Sequence, residues 1–258
     1  RGRGDVLLGT TPRGGSLEGG TVFKFDGDTG FEVLHSFAGT GLGSSPDILL
    51  VRGKDGVFYG TTQNGGEFGL GTVFRIDERG RYELLHSFNT TDGAEPVAPL
   101  VWGRDRALYG STGGGGALGI GTVFKIDPAG AFTQLHSFGF TVDGDRPEKA
   151  LTLGRDGALY GATSGGGASR YGTLFRIDSS GQFAVLHDFD YAVDGAYPVA
   201  PLVKARDGAL YGSTLFGGAF TSGTLFKLDA RGRFTLLHNF DSARDGAYPS
   251  APLVQARD

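Results

Sequence analysis

Short apolar runs rich in Val, Ile, Leu, Phe and Tyr alternate with turn residues along the whole chain. Ala98–Trp102 is one such run, and Gly103–Arg106 closes it with a tight turn. Ala107–Thr112 is a second, followed by a glycine-rich loop from Gly113 to Gly121. Thr122–Ile126 and Ala131–Phe138 are the third and fourth, joined through Asp127–Gly130. Such runs, bounded by Gly, Pro and Asp signals, predict four short strands in one antiparallel meander. A longer loop then leads to Pro147 and the next unit. Alternation in the fourth strand of the first unit predicts Phe31, Val33, His35 and Phe37 on one face and Leu34 on the other. Both faces are partly apolar, so the sheet needs cover on both sides.

The unit recurs five times. The Gly of a Leu-Tyr-Gly motif falls at Gly9, Gly60, Gly110, Gly161 and Gly212, and the His of a Leu-His-Ser-Phe motif at His35, His86, His136, His187 and His238. Both series step by 51, 50, 51 and 51. A period in this range marks a solenoid, a propeller or an array. A ring of sheets packed face to face covers every sheet twice, so the expected fold is all-β, a five-bladed β-propeller of four-stranded antiparallel blades. A stacked β-solenoid would need shorter repeats and capping ends, which this chain lacks. The ends are also in phase: Arg257 and Asp258 match Arg206 and Asp207, and Asp5 takes the place of Gly208. Residues 1–258 are therefore expected to form a single domain, closed by a blade shared between 1–37 and 250–258. Ala251–Val254 would supply its inner strand, and Val6–Thr10 and its successors the other three.

Composition narrows the function classes. A chain of 258 residues can bury a substantial core, and its 48 glycines sit at fixed places in the repeat. The net charge of −4 comes from interspersed acids and bases, so no basic stripe points to nucleic acid. No apolar run approaches membrane-spanning length, so no membrane insertion is expected. With neither a signal peptide nor an initiating Met, the chain reads as processed or excised from something longer. The absence of Cys removes disulfides and thiolate metal sites without deciding the compartment.

Asp207-Gly-Ala-Leu-Tyr-Gly212, Gly121-Thr-Val-Phe-Lys-Ile126 and Leu135-His-Ser-Phe138 together resemble the Gloeo/Verruco (GloVer) tandem-repeat family, over essentially the whole chain. The resemblance implies a propeller-like bacterial protein, secreted or anchored at the surface, with no shared catalytic residues to carry over. By analogy with kelch-type propellers, Ala-Pro-Leu-Val is the innermost strand and Leu-His-Ser-Phe the outermost. The first unit departs most, with Leu8 in place of Tyr59, Tyr109, Tyr160 and Tyr211, and Leu42-Gly43 in place of Asp-Gly.

Candidate chemistry is sparse. One His per outermost strand spreads the five around a rim, too far apart to share an ion at roughly 2 Å, so each is expected to bond a nearby Ser, Thr or backbone group. The Asp-Gly pairs at Asp92, Asp143, Asp194 and Asp245 read as turns, since calcium needs a denser oxygen cluster. The Gly-Gly loops precede strands rather than helices, which argues against a phosphate cradle. Neither a metal nor a cofactor is expected.

Differences between units say more. Before each inner-strand proline stand Ser45, Glu95, Arg146, Tyr197 and Tyr248; after it stand Asp47, Val97, Glu148, Val199 and Ser250. These positions should ring the channel mouth on the face that carries both long loops, whose tips include Arg13, Asn64, Ser164 and Phe216. Trp102 replaces Arg52, Leu153, Lys204 and Gln255, and is a candidate for stacking on a sugar, plugging the channel or lying on the surface. The expected function is a non-catalytic extracellular or cell-surface module, a monomer binding glycan or protein through Ser45, Glu95, Arg146, Tyr197, Tyr248 and Trp102. The alternative is a glycoside hydrolase using two of Asp47, Glu95 and Glu148 at roughly 5–9.5 Å, although Arg146 and Lys149 beside Glu148 read more as a charge network. A purely structural repeat scaffold is the third reading.

Overall fold

A computed structural model describes residues 6–39, 41–46 and 49–256. Every helix-or-strand element among them is a β-strand, arranged in five antiparallel sheets. The third sheet shows the plan. Val101–Trp102 pairs with Leu108–Thr112, which pairs with Thr122–Ile126, which pairs with Phe132–Ser137. The fourth and fifth sheets repeat it. In the second, Ser44–Pro46 and Val51–Arg52 both pair with Phe58–Asn64. Inner strands are two residues long whether or not a proline precedes them, since Ala150 stands before Thr152–Leu153 where Pro99 and Pro201 stand before the others. Val101–Trp102, Thr152–Leu153 and Val203–Lys204 lie beside one another at the hub, which leaves the histidine strands outermost.

The fourth strands do not alternate simply. Val22 opposes His35 while Phe23 opposes Val33, so Leu34 is an extra residue, and the same register shift recurs in the other four sheets. A one-residue bulge turns everything beyond it onto the other face. The expectation that Phe31, Val33, His35 and Phe37 share a face is therefore corrected. Phe31-type residues face the preceding blade, and the histidines face the following one.

That switch builds the interfaces. His136 lies flat on Phe183 of the next blade, with centroids 3.7 Å apart and planes at 3°. His35 on Tyr82, His86 on Phe132 and His187 on Phe234 repeat the stack. The core accordingly sits between blades rather than within them, as four clusters for five sheets. Gly110 belongs to this packing: a Cβ there would overlap the ring of Phe124 in the adjacent strand and the methyls of Leu100. Any side chain would push that ring out of its interface.

Among the described residues, the sheet at the start of the chain has no inner strand from the C-terminal segment. The first sheet has three strands, Val6–Thr11, Thr21–Asp26 and Gly30–Ser36. Ala251–Gln255 forms no strand, and Val254 is 89% exposed. Asp5, Arg257 and Asp258, on which the head-to-tail phasing rests, lie outside the described residues. Where the fifth interface would be, Leu7, Phe25 and Phe31 remain exposed.

Candidate functional site

The two long loops of each unit are tied together on one face. Ala94 pairs with Gly114, Asp145 with Gly165 and Ala196 with Phe216 as isolated antiparallel bridges. Just beyond each bridge stands the residue preceding the inner-strand proline. Ser45, Glu95, Arg146, Tyr197 and Tyr248 all adopt left-handed backbone, with φ between 53° and 59°. A non-glycine residue held there costs about 1–3 kcal/mol. All five donate their N–H to the preceding blade, and in Glu95, Arg146 and Tyr197 the carbonyl is bonded as well. Glu95 N–H donates to Leu70 O of the preceding blade at 2.9 Å, and Gly113 N–H donates to Glu95 O at 3.0 Å. Arg146 and Tyr197 repeat both bonds with Ile120, Ser164, Tyr171 and Leu215. The backbone is thus constant while the side chain is free to vary.

Those side chains divide the face in two. On the fourth and fifth blades the rings of Tyr171 and Tyr197 (6.2 Å), Tyr197 and Phe216 (6.0 Å), and Phe216 and Tyr248 (5.2 Å) form a continuous aromatic row. Tyr197 is 37% and Tyr248 53% exposed. Tyr171 was not singled out from the sequence, although it stands where other units have Leu70, Ile120 and Ser222. The second and third blades are polar. The Glu148 side chain lies over Gly113, whose N–H is bonded to the backbone carbonyl of Glu95. Asp47 lies outside the described residues. Asp145, also missed, occupies a place taken by Ala94, Ala196 and Ala247 elsewhere. Its Oδ1 is buried without a partner, and burial raises its pKa above the ordinary carboxylate value.

Trp102 does not belong to this face. It adjoins the tight turn at the opposite end of its sheet, edge-on to Tyr59 at 5.3 Å, with its indole N–H donating to Arg52 O at 3.1 Å. It is an interblade residue. Its strand position beside Gly103–Arg106 decided its end of the sheet.

Four histidines carry a second correction, because their partner is the carboxylate of the Asp-Gly pair rather than Ser, Thr or backbone. His136 Nε2 meets Asp143 Oδ2 at 2.6 Å, and His238 meets Asp245 at 2.8 Å. His86 and Asp92 at 3.2 Å, and His187 and Asp194 at 2.9 Å, reach ion-pair distance without hydrogen-bond alignment. The other Asp143 oxygen accepts the Gly139 N–H, which pins the start of the long loop. Thr122 Oγ1 donates to Asp92 O of the preceding blade at 3.0 Å and Thr173 to Asp143 O at 2.8 Å, which anchors the loops to the next blade. The spacing of seven residues between His136 and Asp143 was the available signal. Among the described residues, no group of three or more His, Asp or Glu is placed to hold a metal ion.

The chain matches the Gloeobacter/Verrucomicrobia repeat family over residues 1–152 and 51–258, and it belongs to that family. None of the curated proteins compared matches it. Among solved structures it is similar to a streptogramin B lyase, at 13% identity and a TM-score of 0.57, covering 92% of this chain and 65% of the lyase. It is also similar to a Bacteroides uniformis protein assigned as a 6-phosphogluconolactonase, at 18% identity and a TM-score of 0.56, covering 92% and 67%. A third is the extracellular domain of the one-component system BT4673 of B. thetaiotaomicron, at 12% identity and a TM-score of 0.50, covering 96% and 36%. At these identities the likeness concerns the fold, which is of the β-propeller kind. No helix among the described residues is long and apolar enough to cross a membrane.

Proposed function

We propose that residues 1–258 act as one extracellular, non-catalytic binding module that recognises glycan through the long-loop face. The observation behind this reading is the aromatic row Tyr171–Tyr197–Phe216–Tyr248, in which Tyr197 and Tyr248 stand on left-handed backbone bonded to the preceding blade and are open to solvent. Flat rings of fixed orientation present apolar area to the C–H face of a sugar while the tyrosine hydroxyls stay wet. Glu95, Arg146 and Ser45 on neighbouring blades supply polar partners for ring hydroxyls. An extracellular setting agrees with the fold neighbour that is itself an extracellular domain. A glycan array followed by polysaccharide titration tests it. Binding should fall at least about tenfold in Tyr197→Ala and in Tyr248→Ala, the loss of roughly 1.4 kcal/mol that one stacking contact supplies. Flat responses across both assays would remove the glycan reading.

The hydrolase alternative draws on Glu148, whose side chain lies over Gly113 on the long-loop face, and on Asp145, whose pKa burial raises. Glycoside cleavage needs a pair of such carboxyl groups flanking the scissile bond. Release of reducing ends from the same polysaccharides, lost in Glu148→Gln, would favour it over simple binding.

A further inference from the structure

The end of the molecule opposite the long-loop face carries a basic ladder at the hub. The tight turn after each inner strand holds a cation at one fixed place: Lys54, Arg104, Arg155 and Arg206, in steps of 50, 51 and 51. All four are exposed. The Arg104 guanidinium donates to Arg155 O, and the Arg155 guanidinium to Arg206 O, so each arginine spans to the turn of the next blade. Glycine makes room for this. The Arg104 stem lies over Gly157 and the Arg155 stem over Gly208, both with left-handed backbone at φ 86° and 85°. Lys204 Nζ donates to Leu153 O at 2.7 Å and brings a further cation to the same hub. The wide spacing hides the ladder in the sequence, where these bases form no run.

The carboxylates of the same turns do not neutralise it. Asp105 Oδ1 accepts the Ala107 N–H, while its Oδ2 accepts the Tyr109 hydroxyl at 2.7 Å and meets Lys125 Nζ at 2.6 Å. Asp156 holds Ala158 N–H, the Tyr160 hydroxyl and Arg176 in the same way. Both carboxylates are thus turned outward along their own sheets. Among the described residues, no carboxylate lies within ion-pair distance of Lys54, Arg104 or Arg155. A guanidinium has five N–H donors, so one bond to a carbonyl leaves the rest for a ligand. Further out, the outer turns of the third and fourth blades carry Asp127 and Asp178 and no base. This end of those blades is positive at its centre and negative at its rim.

We propose that this basic hub binds a compact polyanion, a small molecule carrying several linked phosphate or sulfate groups. Exposed charges are screened, so a single anion on one guanidinium gains little. Linked anionic groups engage successive turns together, and each bound group raises the effective concentration of the next. The arginine fork matches the paired oxygens of a tetrahedral oxyanion. The acidic rim and the net charge of −4 oppose a long polyanion lying across the whole end, which selects a ligand that fits within the hub. This site lies at the other end of the blades from the aromatic row and does not depend on what that row binds.

Titration calorimetry at low salt with orthophosphate, pyrophosphate and tripolyphosphate tests the proposal, with a disulfated disaccharide as the sulfate arm. Tripolyphosphate should bind about tenfold tighter than orthophosphate, and added salt should weaken it. Arg104→Gln and Arg155→Gln should each weaken tripolyphosphate about fivefold, and Arg155→Lys, which keeps the charge and loses the fork, by less. Arg81→Gln removes a rim base already paired with Asp77 and should leave binding unchanged. The replaced side chains are exposed, so every variant should keep the melting temperature of the parent chain. Tighter binding of the disaccharide than of tripolyphosphate would identify sulfate as the preferred group at the same hub. No binding of any of these anions overturns the proposal, as does equal affinity for orthophosphate and tripolyphosphate. Unchanged binding in both Gln variants, or a tighter hold on a long DNA duplex than on tripolyphosphate, also overturns it.

Discussion

The interface between the third and fourth blades and the one between the first and second use the same aromatic stack and differ in one carboxylate. His136 is held by Asp143 at 2.6 Å while it lies on Phe183. His35 lies on Tyr82 at 4.2 Å, but Leu42 stands where the aspartate would be, and its Nε2 is buried without a partner. Burial accordingly lowers the pKa of His35 below the ordinary histidine value. Tyr82 compensates in part, because its hydroxyl donates to Leu42 O at 2.7 Å and ties the loop to the next blade by another route. Ring stacking therefore defines the interface, and the carboxylate determines how the loop above it is fastened.

The shared part should show the largest effect. Phe37 and Phe138 are fully buried in equivalent positions, and replacing either by Ala should cost about 3–5 kcal/mol, read from denaturant unfolding. Clearly unequal costs would mean that the two interfaces differ in more than the dyad. Next comes the dyad itself. Asp143→Ala removes the partner of His136 and the acceptor for Gly139 N–H, at a cost of about 1–3 kcal/mol. Hydrogen exchange at Gly139 should rise in the same variant, and an unchanged rate would show that the loop is pinned by something else.

Acid should affect the first interface next. A histidine whose folded pKa lies below its unfolded value stabilises the fold fully above the ordinary value of 6.5, and that contribution is lost as pH falls through the lowered folded pKa. His86 shifts in the same direction, with burial outweighing Asp92. Histidine proton resonances followed by NMR should place the His35 midpoint below 6.5; a midpoint at or above that value would contradict the burial argument. The smallest effect is the repair. Leu42→Asp supplies the missing carboxylate at an exposed position, so it should raise the His35 pKa and add only ~0.2–1 kcal/mol. Failure of His35 to respond would show that the first loop holds its residue 42 away from the ring.

Much of the fold was legible because the repeat is periodic in both motif and turn. Leu-Tyr-Gly and Leu-His-Ser-Phe marked the strands, and their spacing marked the blades. The candidate face was also legible, since Tyr197 and Tyr248 differ from Ser45 and Glu95 at one repeat position. Periodicity did not reveal the bulge at Leu34 and its counterparts, because an extra residue keeps the same apolar pattern while reversing the faces beyond it. The place of Trp102 was missed for a related reason: its neighbours in sequence name its strand but not the ring on the preceding blade.

Local pattern alone determined that this chain makes small antiparallel sheets with two apolar faces, five times over, because strand and turn preferences act over a few residues. Tertiary structure alone decided which face each ring turns to, that four of the histidines meet aspartates, and that Tyr171 joins Tyr197, Phe216 and Tyr248 in one row. Those outcomes rest on contacts between residues about fifty positions apart, where the geometry of the blades chooses among partners that the sequence pattern treats alike.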